Sequence, residues 1–164
     1  MEPKASAGAV SPGAGGSRCA GTDRQRPQSR LQWIKSFETG SAEIDALHRQ
    51  LVEQCDGLLL ALDSAAPWSR ILADAGRLVE GCIQHFRLEE DLLAWSRFPR
   101  KAGHVAEHRR FERELHGLIW QMRAADGSRE EHRAVPRELG PMLVEFIIRH
   151  DLDYRSHLMH VLGR

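Results

Sequence analysis

Six side chains in this sequence join metal-binding chemistry to helical spacing. His85 and Glu89 lie four residues apart, as do His104 and His108, while His48 and Asp151 stand on two other segments. An i, i+4 pair on a helix shares one face, separated by about 6 Å along the axis, so its two side chains can grip one centre. Burying an unpaired carboxylate costs several kcal/mol. Two carboxylates and four imidazoles converging in a core would therefore destabilise a fold that bound nothing. A divalent cation removes that penalty, and imidazole with carboxylate but no thiolate suits iron, manganese or zinc. Four of the remaining five histidines carry no such signal, and His150 is a special case. His116 and His132 lie near solvated charge runs, and His157 and His160 fall at the C-terminal end, where fraying is expected.

Four helical segments must position these groups. The first, about Ser41 to Leu62, has Ile44, His48, Leu51, Cys55, Leu58 and Leu62 on one stripe, with Ser41 as N-cap. A second, Trp68 to Trp95, carries Ile71, Ala75, Leu78, Cys82, His85, Glu89 and Leu92. A third, about Lys101 to Ala125, carries His104, His108, Phe111, Leu115, Leu118 and Met122, and Asp126-Gly127-Ser128 ends it. The last is expected to open with Pro136 at its first position and run to about Leu162, through Leu143, Ile147, Asp151, Tyr154 and Leu158. Near-heptad stripes and short connections predict an all-α, antiparallel up-down-up-down four-helix bundle. Leu31 to Thr39 is apolar but aperiodic and reads as an extended arm across the bundle surface. Residues 1–30, rich in Gly, Pro, Ala and Ser without apolar periodicity, read as a disordered tail, which leaves 31–164 as the folded domain.

Bulk properties exclude several classes. The chain has 164 residues, enough for one domain, and 23 basic against 23 acidic side chains give no electrostatic case for nucleic acid or an anionic membrane. No apolar run approaches the roughly 20 residues needed to span a bilayer. Residues 1–30 lack the apolar region of a secretory signal. Three cysteines, Cys19, Cys55 and Cys82, argue for a reducing compartment, and Cys55 and Cys82 for buried packing. A cytoplasmic location is expected.

From Trp33 to about Leu158 the sequence resembles the hemerythrin family in its single-domain bacterial form. Trp33-x3-Phe37-x-Thr39-Gly40-x3-Ile44-Asp45-x2-His48-x2-Leu51 is similar to the family's entry arm and first ligand helix. His85-Phe86-x2-Glu89-Glu90, His104-x3-His108-x2-Phe111 and Asp151-x2-Tyr154-x2-His157-Leu158 are similar to the other three ligand segments. The resemblance implies two iron ions with an oxo or hydroxo bridge. One takes His48 and His85 and keeps an open position for O2. The other takes His104, His108 and a third histidine, while Glu89 and Asp151 bridge the pair. It also implies a carrier, store or sensor that binds O2 reversibly as hydroperoxide, not an enzyme, with an O2-consuming enzyme as a conceivable partner. Glu90, turned about 100° from Glu89, is expected to matter little.

The pattern departs at one place. The family's fourth helix reads Trp-x3-His-x4-Asp, but here Phe146 stands five residues before Asp151 and Met142 nine before. At about 100° per residue, His150 projects within about 30° of the inward midline, which makes it a candidate substitute ligand, the other reading being a plain polar residue of the bundle. Phe146 also supports an alternative reading, a hemerythrin-like bundle with an impaired or mononuclear iron site acting in iron or redox sensing or as a scaffold. Ferritin-like oxidase chemistry is disfavoured, because no Glu here has a His three residues later.

Overall fold

A computed structural model describes residues 33–163; the expected tail at 1–30 and the first two arm residues, Leu31 and Gln32, lie outside that range. The four helices are α1 (Ala42–Asp63), α2 (Trp68–Trp95), α3 (Lys101–Ala124) and α4 (Glu130–Arg149). A 3-10 segment, Asp151–Tyr154, and a short α5 (Arg155–Val161) follow. Each of the four long helices packs against two others, α1 on α2 and α4, and α3 on α2 and α4, which closes the bundle. No strand occurs among the described residues. Ser41 caps α1 as its residue type predicts, its hydroxyl accepting from the Ile44 amide at 3.4 Å.

One continuous core of leucine, isoleucine and phenylalanine side chains fills the end of the bundle away from the arm, and includes the fully buried Cys55 and Cys82. Burial pushes the Cys55 thiol up to about 12, with Asp56 adding to it, so this thiol stays protonated. A second, smaller cluster of Leu93, Phe98, Tyr154 and Leu158 closes the other end.

The fourth segment departs from expectation at both ends. It begins at Glu130, six residues before Pro136, so Pro136 and Pro141 both lie inside α4. Each removes one backbone donor, and burial of Pro136, Leu139, Leu143 and Ile147 holds the helix together across them. The α-helix then stops at Arg149. His150 (φ −110°, ψ −46°) leaves regular helical geometry, and the chain tightens into the 3-10 turn that carries Asp151 and Tyr154. Within the expected extended arm, Lys35–Phe37 forms a 3-10 turn flanked by extended residues. His157 is not frayed: its Nε2 lies 2.8 Å from the Ser96 carbonyl and its ring packs on Phe98.

The α3–α4 connection depends on Gly127, at φ +71°, where a Cβ would overlap the Trp68 indole. That indole is fixed by its Nε1–H, which donates to the Ala125 carbonyl at 2.9 Å. Gly127→Ala combines a left-handed backbone with a clash, and should cost about 1–3 kcal/mol in chemical denaturation. A loss below roughly 0.5 kcal/mol would show that the connection relaxes freely.

Candidate metal centre

The helices bring His48 (α1), His85 and Glu89 (α2), His104 and His108 (α3) and Asp151 (3-10 turn) to one buried place. His104 is 7% exposed and the other five 0%. Their ligand atoms fall into two adjoining groups. Glu89, His104, His108 and Asp151 form one, His48, His85 and Asp151 the other, and within each group all atoms lie within 4.8 Å of one another. Asp151 belongs to both. Its Oδ2 lies 3.1 Å from His48 Nε2 and 3.4 Å from His85 Nε2, and its Oδ1 lies 3.7 Å from His104 Nε2. Glu89 Oε2 lies 2.9 Å from His108 Nε2, 3.2 Å from His104 Nε2 and 3.4 Å from His85 Nε2.

These contacts are short, yet most are not aligned as hydrogen bonds. Both Glu89 oxygens, Asp151 Oδ1, His104 Nε2 and His108 Nε2 are buried without a hydrogen-bond partner. Lone pairs crowded towards a shared centre and left unsatisfied are what a cation would fill. The donor set, imidazole and carboxylate without thiolate, fits iron.

Electrostatics agree. Burial alone would raise the Glu89 carboxyl, but the imidazoles of His85, His104 and His108 overcome it and hold the group well below the ordinary carboxylate range. Burial alone would lower His85 and His104. Glu89 and Asp151 outweigh that effect and raise both.

Glu90 corrects an expectation. It faces away from Glu89, as helical geometry requires, but towards α3 and not towards solvent. Its Oε1 lies 3.0 Å from His108 Nδ1, and its Oε2 accepts from Arg109 Nη2 at 2.9 Å. With a cation bound, a proton held on His108 Nδ1 by Glu90 would leave Nε2 as the lone pair that faces the ion. The signal was available in principle, as a second carboxylate beside a ligand on a neighbouring helix, but single-helix projection does not reveal it.

Phe146 is 4% exposed beside His108, at 5.8 Å between ring centroids, and stacks on Phe111 at 4.5 Å. It therefore occupies the inward position where the family carries an imidazole. His150 does not join either ligand group among the described residues. It is half-buried, its ring 4.7 Å from Phe146. The projection that turned it inward assumed a regular helix, but the α-helix ends just before His150, while Asp151 and Tyr154 hold the inward places their stripe predicts. The Tyr154 hydroxyl is buried without a hydrogen-bond partner, and its ring lies 5.6 Å from His104. Burial first, then Glu89 and Asp151, push it well above the usual phenol range.

A bundle of this topology with a buried imidazole–carboxylate cluster defines a non-haem metal-binding class. Residues 39–159 match the family described as "Hemerythrin HHE cation binding domain". Proteins called "Hemerythrin-like protein" from Naegleria gruberi and Naegleria fowleri are each 30% identical over 90 residues, 55% of this chain and 70% of theirs. The chain belongs to the hemerythrin family, and its cluster is that of a non-haem iron-binding protein.

Two outcomes follow from the geometry. Glu89→Gln should abolish most iron binding, because an amide neither bridges nor offsets cation charge. Glu90→Gln should weaken it by about 10- to 100-fold through loss of His108 orientation. Metal analysis after competition with a chelator checks both, and parent-like retention in Glu90→Gln would refute the orienting role. Metal binding should also release protons, since the raised His85 and His104 must lose theirs. Affinity should accordingly decline as pH falls, beginning above the ordinary histidine value of 6.5. Calorimetric titration in buffers of different ionisation enthalpy measures this, and proton release of zero at pH 6.5 would contradict it.

Proposed function

We propose that the chain holds two iron ions joined through Glu89 and Asp151 with an oxo or hydroxo bridge, and that it binds O2 reversibly as a carrier, store or sensor and not as an enzyme. The observation behind this reading is the division of one buried cluster into two groups that share Asp151. Iron would supply the electrons for O2 binding. The protein supplies the rest. Five fully buried ligands keep bulk water out. The Trp33 ring, 5.7 Å from that of His48, covers the His48 side. Phe86 stacks on His108 at 4.3 Å and walls the other side. No helix among the described residues is long and apolar enough to cross a membrane. A cytoplasmic setting and supply of O2 to a consuming enzyme complete the proposal.

A second reading has its own support. Phe146 leaves the His104–His108 group with two imidazoles, which favours a weakly held second ion or a mononuclear site serving in sensing or as a scaffold. Iron analysis and the charge-transfer spectrum before and after oxygenation separate the two. The first reading expects two irons per chain and a spectrum that changes with O2 and reverts on its removal. Phe146→His should then lengthen iron retention against a chelator. One iron in the parent and two in Phe146→His would establish the mononuclear reading, and a spectrum indifferent to O2 would sink the carrier reading.

A further inference from the structure

The two ligand groups differ in how near a solvent-filled cleft comes to them. On one side His48 and His85 are fully buried, with Trp33 against His48. On the other, a cleft of about 310 Å³ opens between α3 and the end of α4, and its wall includes His104 itself. His104 is the one cluster ligand with measurable exposure. Gly103, Glu107, Arg149, His150 and Asp153 also line it. A second cleft, of about 160 Å³, reaches Phe146 and Phe111 and shares Arg149 and His150 with the first. His150, its ring on Phe146, is thus the partition between them.

Three features give the cleft the character of an inlet. A Cβ at Gly103 would meet nothing within 4 Å, so the missing side chain leaves space at the wall. The charges at the rim are paired: Arg100 donates to Asp153 at 3.0 Å, Arg110 lies 2.9 Å from Glu107, and Arg149 lies 2.8 Å from Glu145. Such a rim neither traps nor repels a small ligand of either charge. Inside, the cation position offers four protein groups, Glu89, His104, His108 and Asp151, which leaves coordination free on a six-coordinate ion.

We infer that this cleft is the entry mouth by which a small linear ligand of two or three heavy atoms reaches the cation position of Glu89, His104, His108 and Asp151. The inference rests on the iron-binding reading above. It differs from what the family resemblance implies, which places the exchangeable ligand on the His48–His85 side. His104 Nε2 itself is buried, so the imidazole stands between the cleft and the cation position, and a small ligand is what a modest turn of that ring would admit.

Azide added to the oxidised iron-loaded protein is the probe, followed by stopped-flow absorbance. Gly103→Leu narrows the mouth without a buried clash and on a good helix former. Its iron content should equal that of the parent, while azide association and dissociation should both slow by roughly tenfold. Gly117→Leu is the matched control on α3, also with open space at its Cβ position, and should keep the parent rates. Parent rates in Gly103→Leu at full iron content would overturn the mouth and leave the iron reading standing. So would equal slowing in Gly117→Leu, or acceleration by Trp33→Ala alone. A parent chain without iron would overturn both, and metal analysis identifies that case before any azide is added.

Discussion

The structure depends on the burial of two carboxylates, Glu89 and Asp151, where water cannot solvate them. Alone, each would be among the most unfavourable groups a small bundle could enclose. Four imidazoles surround them, and the resulting attraction holds Glu89 ionised against the cost of desolvation. The arrangement is poised between two states. Without a cation His85 and His104 share protons with the carboxylates, and with one they must shed them. The helices bring these six groups together, and five of the six are wholly shut off from solvent.

The break after Arg149 is part of that constraint. On a regular α-helix Phe146 and Asp151 would stand about 140° apart, with His150 between them near the inward midline. In the 3-10 turn Asp151 and Tyr154 are both fully buried, while His150 is not. His150, displaced from the centre, becomes part of the surface at the clefts. The sequence therefore combines an absent imidazole at 146 with a neighbouring histidine that does not replace it.

Much of this was legible in the sequence because helical periodicity is a strong signal. His85–Glu89 and His104–His108 lie where their spacing places them, and the ends of α1, α2 and α3 fall within a residue or so of the stop signals. The fourth segment was harder. Pro136 reads as a helix start by its own chemistry, but the apolar positions downstream and tertiary burial carry the helix across it. The 3-10 turn left no mark in composition. Glu90 was misjudged because projection on a single helix distinguishes inward from outward, while a partner on an adjacent helix occupies the angle between. His157 was misjudged because nearness to the chain end was taken as fraying, although a backbone carbonyl on another element was waiting to accept from it.

The place of Asp151 in the chain has a topological consequence. It is the cluster's one ligand beyond α4, and its carboxylate meets His48 across 103 residues of sequence. A cation gripped by both would act as a cross-link closing almost the whole folded chain into a loop. For a covalent bridge, a loop of about 100 residues removes roughly 4.7 kcal/mol of chain entropy from the unfolded ensemble. A coordinate bond works in the same direction while it lasts, so the C-terminal turn and α5 would be fastened or released together with the ion. In this fold the metal is a clasp on the polypeptide as well as a chemical centre.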